Sequence, residues 1–309
     1  MQIQIDRLRK HYGSTKAVND ISFSFAGGQI FGFVGPNGAG KSTTMRIMAT
    51  LDEPTSGDVL IDGVSLVEMP EKAHKMVGYV PDSLPEHRDI SVHEYLDFFA
   101  RAYGLRGDKR RRTVEGIEDF CNLRGIREKH VNALSKGMKN RVSVARALVH
   151  DPPVLVMDEP ASGLDPRARI ELRDLMKVLA GQGKAILISS HILTELSEIC
   201  DGAVFIERGR VLKTGLLADL LQQSSDTRTV VVRTMGDPAA LHRKLLETPG
   251  VDKARLLDDH VEADVAGGEQ ECCDLLSALV AAGVPVVEFR PRKADLEQIF
   301  MNVTKGDVQ

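Results

Sequence analysis

Leu134-Ser135-Lys136-Gly137-Met138, followed after a short helical stretch by Val154-Leu155-Val156-Met157 and then Asp158-Glu159-Pro160, is the segment whose reading decides the fold. A serine ahead of a helical pattern reads as an N-cap, and the helix it starts runs to about Val149. Four consecutive apolar residues read as a central parallel strand covered on both faces. An acid directly after such a strand stands at the carboxyl edge of the sheet, where open α/β sheets hold their ligands. Upstream, Ile30-Phe31-Gly32-Phe33-Val34 reads as another buried strand. Gly35-Pro36-Asn37-Gly38-Ala39-Gly40-Lys41-Ser42 follows it and fits G-x-x-x-x-G-K-[ST] between a strand and a helix.

The chemistry of that loop is specific. Its glycines let backbone N–H groups curl round phosphate oxygens, and the N-terminus of the helix beginning at Ser42 adds partial positive charge. Gly35, Pro36, Asn37, Gly38, Ala39, Gly40, Lys41, Ser42 and Thr43 form the candidate nucleotide-binding set. Lys41 is expected to reach the outer phosphates and Ser42 to bind Mg²⁺. Asp158 is expected to hold the same ion, directly or through water, and Glu159 to polarise the attacking water.

With these motifs in this order, the chain resembles the nucleotide-binding proteins of ABC transporters over roughly Ile3 to Leu220. The resemblance implies a P-loop NTPase cassette of the α/β class. Such a cassette has a mixed sheet core, an N-terminal antiparallel β subdomain and an inserted helical subdomain. Tyr12 matches the aromatic that stacks on adenine. Ser135 and Gly137 match signature residues that bind the γ-phosphate held by the other subunit. Ser162-Gly163-Leu164-Asp165 matches the loop that links the two sites, and His191 the switch histidine that contacts γ-phosphate. The implied catalytic group is then Glu159, His191 and Lys41, with ATP and Mg²⁺ as cofactors. The implied partners are a second copy of the chain or a paralogous cassette, and a transmembrane permease; nucleic acid is not expected. The implied location is cytoplasmic, peripheral on the inner face of the cell membrane.

Two departures from the family pattern stand out. Asp82 occupies the position after Tyr79-Val80-Pro81 where glutamine is usual; it is kept as a third magnesium candidate. Lys136 and Met138 replace a glycine and a glutamine of the signature. Neither change removes Ser135 or Gly137, so hydrolysis is expected to survive. The ending Ala294-Asp295-Leu296-Glu297-Gln298-Ile299-Phe300 resembles the tail of cassettes serving drug, polysaccharide or gliding-type exporters, which leans the reading towards export. The alternative is a soluble ABC ATPase acting on nucleic acid or the ribosome. Such proteins generally carry two cassettes, long coiled coils or zinc modules, none of which this pattern contains.

Bulk properties agree with a globular chain. In 309 residues, 40 Lys+Arg stand against 44 Asp+Glu, so no global basic field points to nucleic acid. No stretch approaches the roughly 18 apolar residues of a membrane helix. Cys121, Cys200, Cys272 and Cys273 have no zinc spacing and read as reduced thiols. The expected domains are a cassette over 1–221, with its helical part at about 84–149, and an α+β domain over 222–309. In that second domain the patterning predicts strands at 229–233, 254–257, 260–265 and 286–289 and helices at 238–247, 270–281 and 294–303. Tyr95, Phe98, Phe99 and Tyr103 recur at helical spacing and are expected in the core. Arg106 to Arg112 reads as a basic, glycine-containing connector.

Overall fold

The computed structural model describes residues 1–84, 89–190, 193–222 and 227–291. The chain divides into two compact units, one holding Met1–Leu217 and a second that begins at Ala218.

The first unit opens with β1 (Gln2–Tyr12) and β2 (Thr15–Ala26), then β3 (Ile30–Val34), α1 (Lys41–Met48), β4 (Ser56–Ile61), β5 (Val64–Ser65), α2 (Pro70–Met76) and β6 (Val77–Val80). After these come α3 (Val92–Ala102), α4 (Gly107–Phe120), two short 3-10 turns and α5 (Lys136–Leu148). The unit continues with β7 (Val154–Met157), α6 (Pro166–Gly181), β8 (Ala185–Ser190), α7 (Leu193–Ser197), β9 (Gly202–Glu207) and β10 (Arg210–Leu216), and α8 (Leu217–Gln222) follows.

Two sheets carry this unit. The N-terminal one has the order β2-β1-β4-β5 and is antiparallel. Its alternation is that of a sheet with one covered face: Ile3, Ile5, Leu8, Ile21, Phe23 and Phe25 point inward and are buried. The second sheet runs β10-β9-β3-β8-β7-β6, parallel except for the edge strand β10. β3, β7 and β8 are buried along their whole length; β3 and β7 are apolar throughout, and β8 is apolar up to Ser189. Aromatic pairs join the two sheets: Phe23 meets Phe33 at 5.4 Å between ring centroids and Phe25 meets Phe31 at 5.7 Å. Each such buried ring stabilises the fold by about 1.5–3 kcal/mol. The β9–β10 hairpin turns at Arg208 and Gly209, both at positive φ, in the primed form that matches strand twist.

The helical stretch differs from expectation in two places. The basic connector is helix: α4 begins at Gly107, and Lys109 to Arg112 lie in its first turns. Lysine and arginine are good helix formers, and this run is anchored, with Arg110 pairing Asp97 of α3 at 2.8 Å. The aromatic stripe is also not uniformly core. Tyr95 is buried, but Phe98 is 58% exposed, and Tyr103, just past the last residue of α3, is exposed. α3 itself starts in a capping box between Ser91 and Glu94.

Tyr103 stacks on His150, just beyond α5, with ring centroids 3.9 Å apart. Burial lowers the His150 pKa from 6.5 to about 4, although its Nε2 faces the Val77 carbonyl at 3.3 Å. A histidine kept neutral in the fold is protonated first in the unfolded chain. Its contribution is therefore fully present above pH 6.5 and is lost as pH falls towards 4. Discounted for its partial exposure, the loss is about 1–2 kcal/mol. Denaturant titrations across this window should show the unaltered chain losing that much more stability than His150→Gln; parallel curves would refute the assignment.

The second unit contains β11 (Thr227–Thr234), α9 (Pro238–Leu246), β12 (Val251–Leu256), β13 (Val261–Ala266), α10 (Glu269–Ala281) and β14 (Val286–Pro291). Its antiparallel sheet has the order β12-β13-β11-β14, the split βαββαβ arrangement. Val230, Val232, Val261, Ala263 and Val265 of the sheet share one core with Leu241 and Leu245 of α9 and Leu275 and Leu279 of α10. The expected helix over 294–303, with the tail motif it carries, lies outside the described residues.

Candidate active site

The site is built where β3, β7 and β8 end side by side. Val34 pairs with Ser190, and Met157 with Ile188, so the loops beyond these strands share one edge. Gly35 leaves β3 so close to β9 that a Cβ there would overlap the Ile206 carbonyl. Gly40, at φ +102°, caps α1, and a Cβ on it would overlap the Ala17 carbonyl. The loop between them therefore carries no side chain at the two points where it is pressed against the body. Pro36, Asn37, Gly38 and Ala39 form its turn, closed by the Ala39 amide donating to the Pro36 carbonyl at 3.2 Å.

Lys41 is 6% exposed. Its Nζ donates to the carbonyls of Gly35 at 2.8 Å and Pro36 at 3.2 Å and lies 3.8 Å from Glu159 Oε1. Burial holds its pKa below 10.5, while Glu159 and Asp158 oppose that shift. Ser42 and Thr43 follow in the first turn of α1, with the Ser42 side chain exposed. A bare glycine-rich cradle over a desolvated cation at a helix N-terminus fits the phosphates of a nucleotide.

The acidic pair comes off β7. Asp158 is buried and accepts a hydrogen bond from Ser189 Oγ at 2.7 Å. The same Oγ accepts from the Glu159 amide at 2.8 Å, so one hydroxyl of β8 bridges both acids. Glu159 stands at φ +46°, a sparsely populated conformation for a residue with a Cβ. Asp82, after β6, is exposed and lines a cavity with Lys136 and Lys139.

Ser135 caps α5 and accepts from the Met138 amide at 3.3 Å. Among the described residues, no hydrogen bond or ion pair links Ser135 or Gly137 to Lys41 of the same chain. Asp165 caps α6 after the Ser162-Gly163-Leu164 turn, accepting from the Ala168 amide at 2.9 Å. Tyr12 leaves 49% of its surface exposed. Its hydroxyl donates to Asp52 Oδ2, and the Lys10 ammonium, itself 2.6 Å from Asp52 Oδ1, stands 4.9 Å from the ring centroid. His191 lies outside the described residues.

The family model for ABC transporters matches residues 18–162. The chain is 33% identical to the Nod factor export ATP-binding protein I of Ralstonia nicotianae, over 99% of this chain and 95% of that protein. The chain belongs to the ABC transporter family. The linearmycin resistance ATP-binding protein of Bacillus subtilis is 28% identical over 98% of each chain. A solved structure titled as the ATP binding subunit of an ABC transporter is 31% identical with a TM-score of 0.66, covering 72% of this chain and 93% of its own.

Three residues of this ABC cassette site escaped the sequence reading. Ser189 was the most accessible, since a polar residue ending an apolar strand at a ligand edge is itself a signal. Lys10 and Asp52 hold Tyr12 in place, but they come from β1 and the segment after α1, and no local pattern pairs them.

Proposed function

We propose that this ABC chain binds and hydrolyses ATP to energise a separate transmembrane permease, in the direction of export. The observation that carries the reading is the approach of buried Lys41 to Glu159, 3.8 Å apart at the edge where β3 and β7 end. A cation for the outer phosphates and a carboxylate to polarise water thus stand beside one another at a single strand edge. Glu159 acts as the base, Lys41 and the glycine loop hold the phosphates, and the exposed ring of Tyr12 stacks on adenine, with His191 at the γ-phosphate as the resemblance implies. Ser42 and Asp158 would hold Mg²⁺, which neutralises charge on the phosphates when bound. Asp82 is the weaker magnesium candidate, because Lys136 and Lys139 share its cavity and oppose a divalent cation.

Ser135 and Gly137 complete the site of a second copy or a paralogous cassette, in a two-fold, self-complementary arrangement. The export names of the relatives support the direction. No helix of the described residues is long and apolar enough to cross a membrane, so the membrane part comes from the permease and the cassette is peripheral to it on the cytoplasmic face. Affinity purification from detergent-solubilised cells tests this: a multi-span membrane protein should co-purify, and recovery of ribosomal protein or RNA in its place would overturn the reading.

A further inference from the structure

We propose that a second polar cavity in this cassette is a holding site for inorganic phosphate, the product of hydrolysis; the product role rests on the ATPase reading above. The cavity, of about 430 Å³, is lined by Asp82 after β6, by Lys136, Lys139, Asn140 and Ser143 of α5, and by Pro160. Pro160 immediately follows Glu159, so the cavity borders the segment that carries the water-polarising carboxylate.

Its chemistry is that of an oxyanion site. Ser143 is 2% exposed, and its hydroxyl has no hydrogen-bond partner among the described residues. A buried hydroxyl left in that state is destabilising, and a hydrogen-bond acceptor brought to it would relieve that cost. Lys136 reaches over the Ser162-Gly163 turn, its ammonium 2.7 Å from where a Cβ on Gly163 would stand. Any side chain at 163 would displace it, and Gly163 at φ +66° is free of one. Neither the Lys136 nor the Lys139 ammonium has an ion-pair or hydrogen-bond partner among the described residues. Asn140 Nδ2 is committed to the Pro160 carbonyl at 2.7 Å and forms wall rather than donor.

Asp82 sets the selectivity. Beside two cations and a hydroxyl, one carboxylate repels any anion that brings only acceptors. Phosphate near neutral pH still carries a proton, and its P–OH can donate to Asp82 while its other oxygens accept from Lys136, Lys139 and Ser143. Sulfate has no such proton. The cavity therefore takes phosphate in preference to sulfate, a distinction that a simple basic patch does not make.

The test uses a full-length chain whose phosphate loop is disabled by Lys41→Ala; the unaltered chain saturated with a non-hydrolysable ATP analogue is a second background. Phosphate and sulfate are titrated against each, followed by thermal shift and phosphorus NMR. Saturable phosphate binding is expected, with sulfate about tenfold weaker. Lys139→Met should weaken phosphate about tenfold, and Asp82→Asn should bring sulfate level with phosphate. In turnover assays, Lys139→Met should leave the initial ATPase rate unchanged and raise the phosphate inhibition constant about tenfold. Phosphate binding only at the phosphate loop, equal binding of both anions, or indifference to Lys139→Met would overturn the proposal. A chain with no ATP turnover would count against the ATPase reading, while the anion titrations decide the cavity by themselves.

Discussion

Glu159→Gln is expected to bind ATP as well as the unaltered chain and to hydrolyse it at least about a hundredfold more slowly. The substitution keeps shape and backbone. The Glu159 amide still donates to Ser189 Oγ, so the strand end that aims the side chain is undisturbed. What disappears is the acceptor for a water proton, together with one negative charge 3.8 Å from the Lys41 ammonium. Losing that charge beside a triphosphate does not weaken binding, and a nucleotide that is bound but not cleaved should accumulate the closed dimer. Size-exclusion chromatography with ATP and steady-state turnover check both halves. Turnover within a few-fold of the unaltered chain would remove Glu159 from the role of base.

Lys41→Ala is expected to weaken ATP binding about 10–100-fold and to bring turnover below detection. Charge-assisted hydrogen bonds to phosphate of roughly 1.5–3 kcal/mol set that range. The substitution also removes the two hydrogen bonds from Lys41 to the Gly35 and Pro36 carbonyls, while the overlaps that keep Gly35 and Gly40 free of side chains do not involve the lysine. Titration with a fluorescent ATP analogue gives the affinity, and a thermal melt reports the frame. The pH dependence supplies an independent check. Burial lowers the Lys41 pKa below 10.5, so its charge is lost at lower pH than that of an exposed lysine. Nucleotide affinity of the unaltered chain should therefore fall as pH rises through the alkaline range, and that of Lys41→Ala should change less. Equal slopes would place the sensitivity elsewhere.

What was legible in the sequence was local. The apolar runs of β3 and β7, the loop between Gly35 and Ser42 and the N-cap at Ser135 each declare themselves within a few residues. What was not legible depends on register between distant segments. Ser189 bridges Asp158 and Glu159 only because β8 pairs with β7 in one alignment. Lys10 and Asp52 meet at Tyr12 because the segment after α1 passes beside the end of β1, a long-range contact that no local pattern shows. The connector that is helix shows a different limit: a glycine and a run of like charges suggest a loop, but anchoring of Arg110 to Asp97 lies outside any local pattern. Phe98 shows that helical spacing of aromatics does not by itself say which of them the neighbouring helices cover.

One tether described for the cavity has a mate on the same helix. Asn140 of α5 donates to the Pro160 carbonyl at 2.7 Å, and Arg146, further along, donates to the Tyr79 carbonyl at 2.7 Å. These carbonyls belong to the segment after Glu159 and to β6, while Ser135 stands at the front of α5 as its N-cap. A rod pinned at two points cannot tilt without dragging both pins. Any tilt of α5 therefore shifts Ser135, the segment after Glu159 and the end of β6 together.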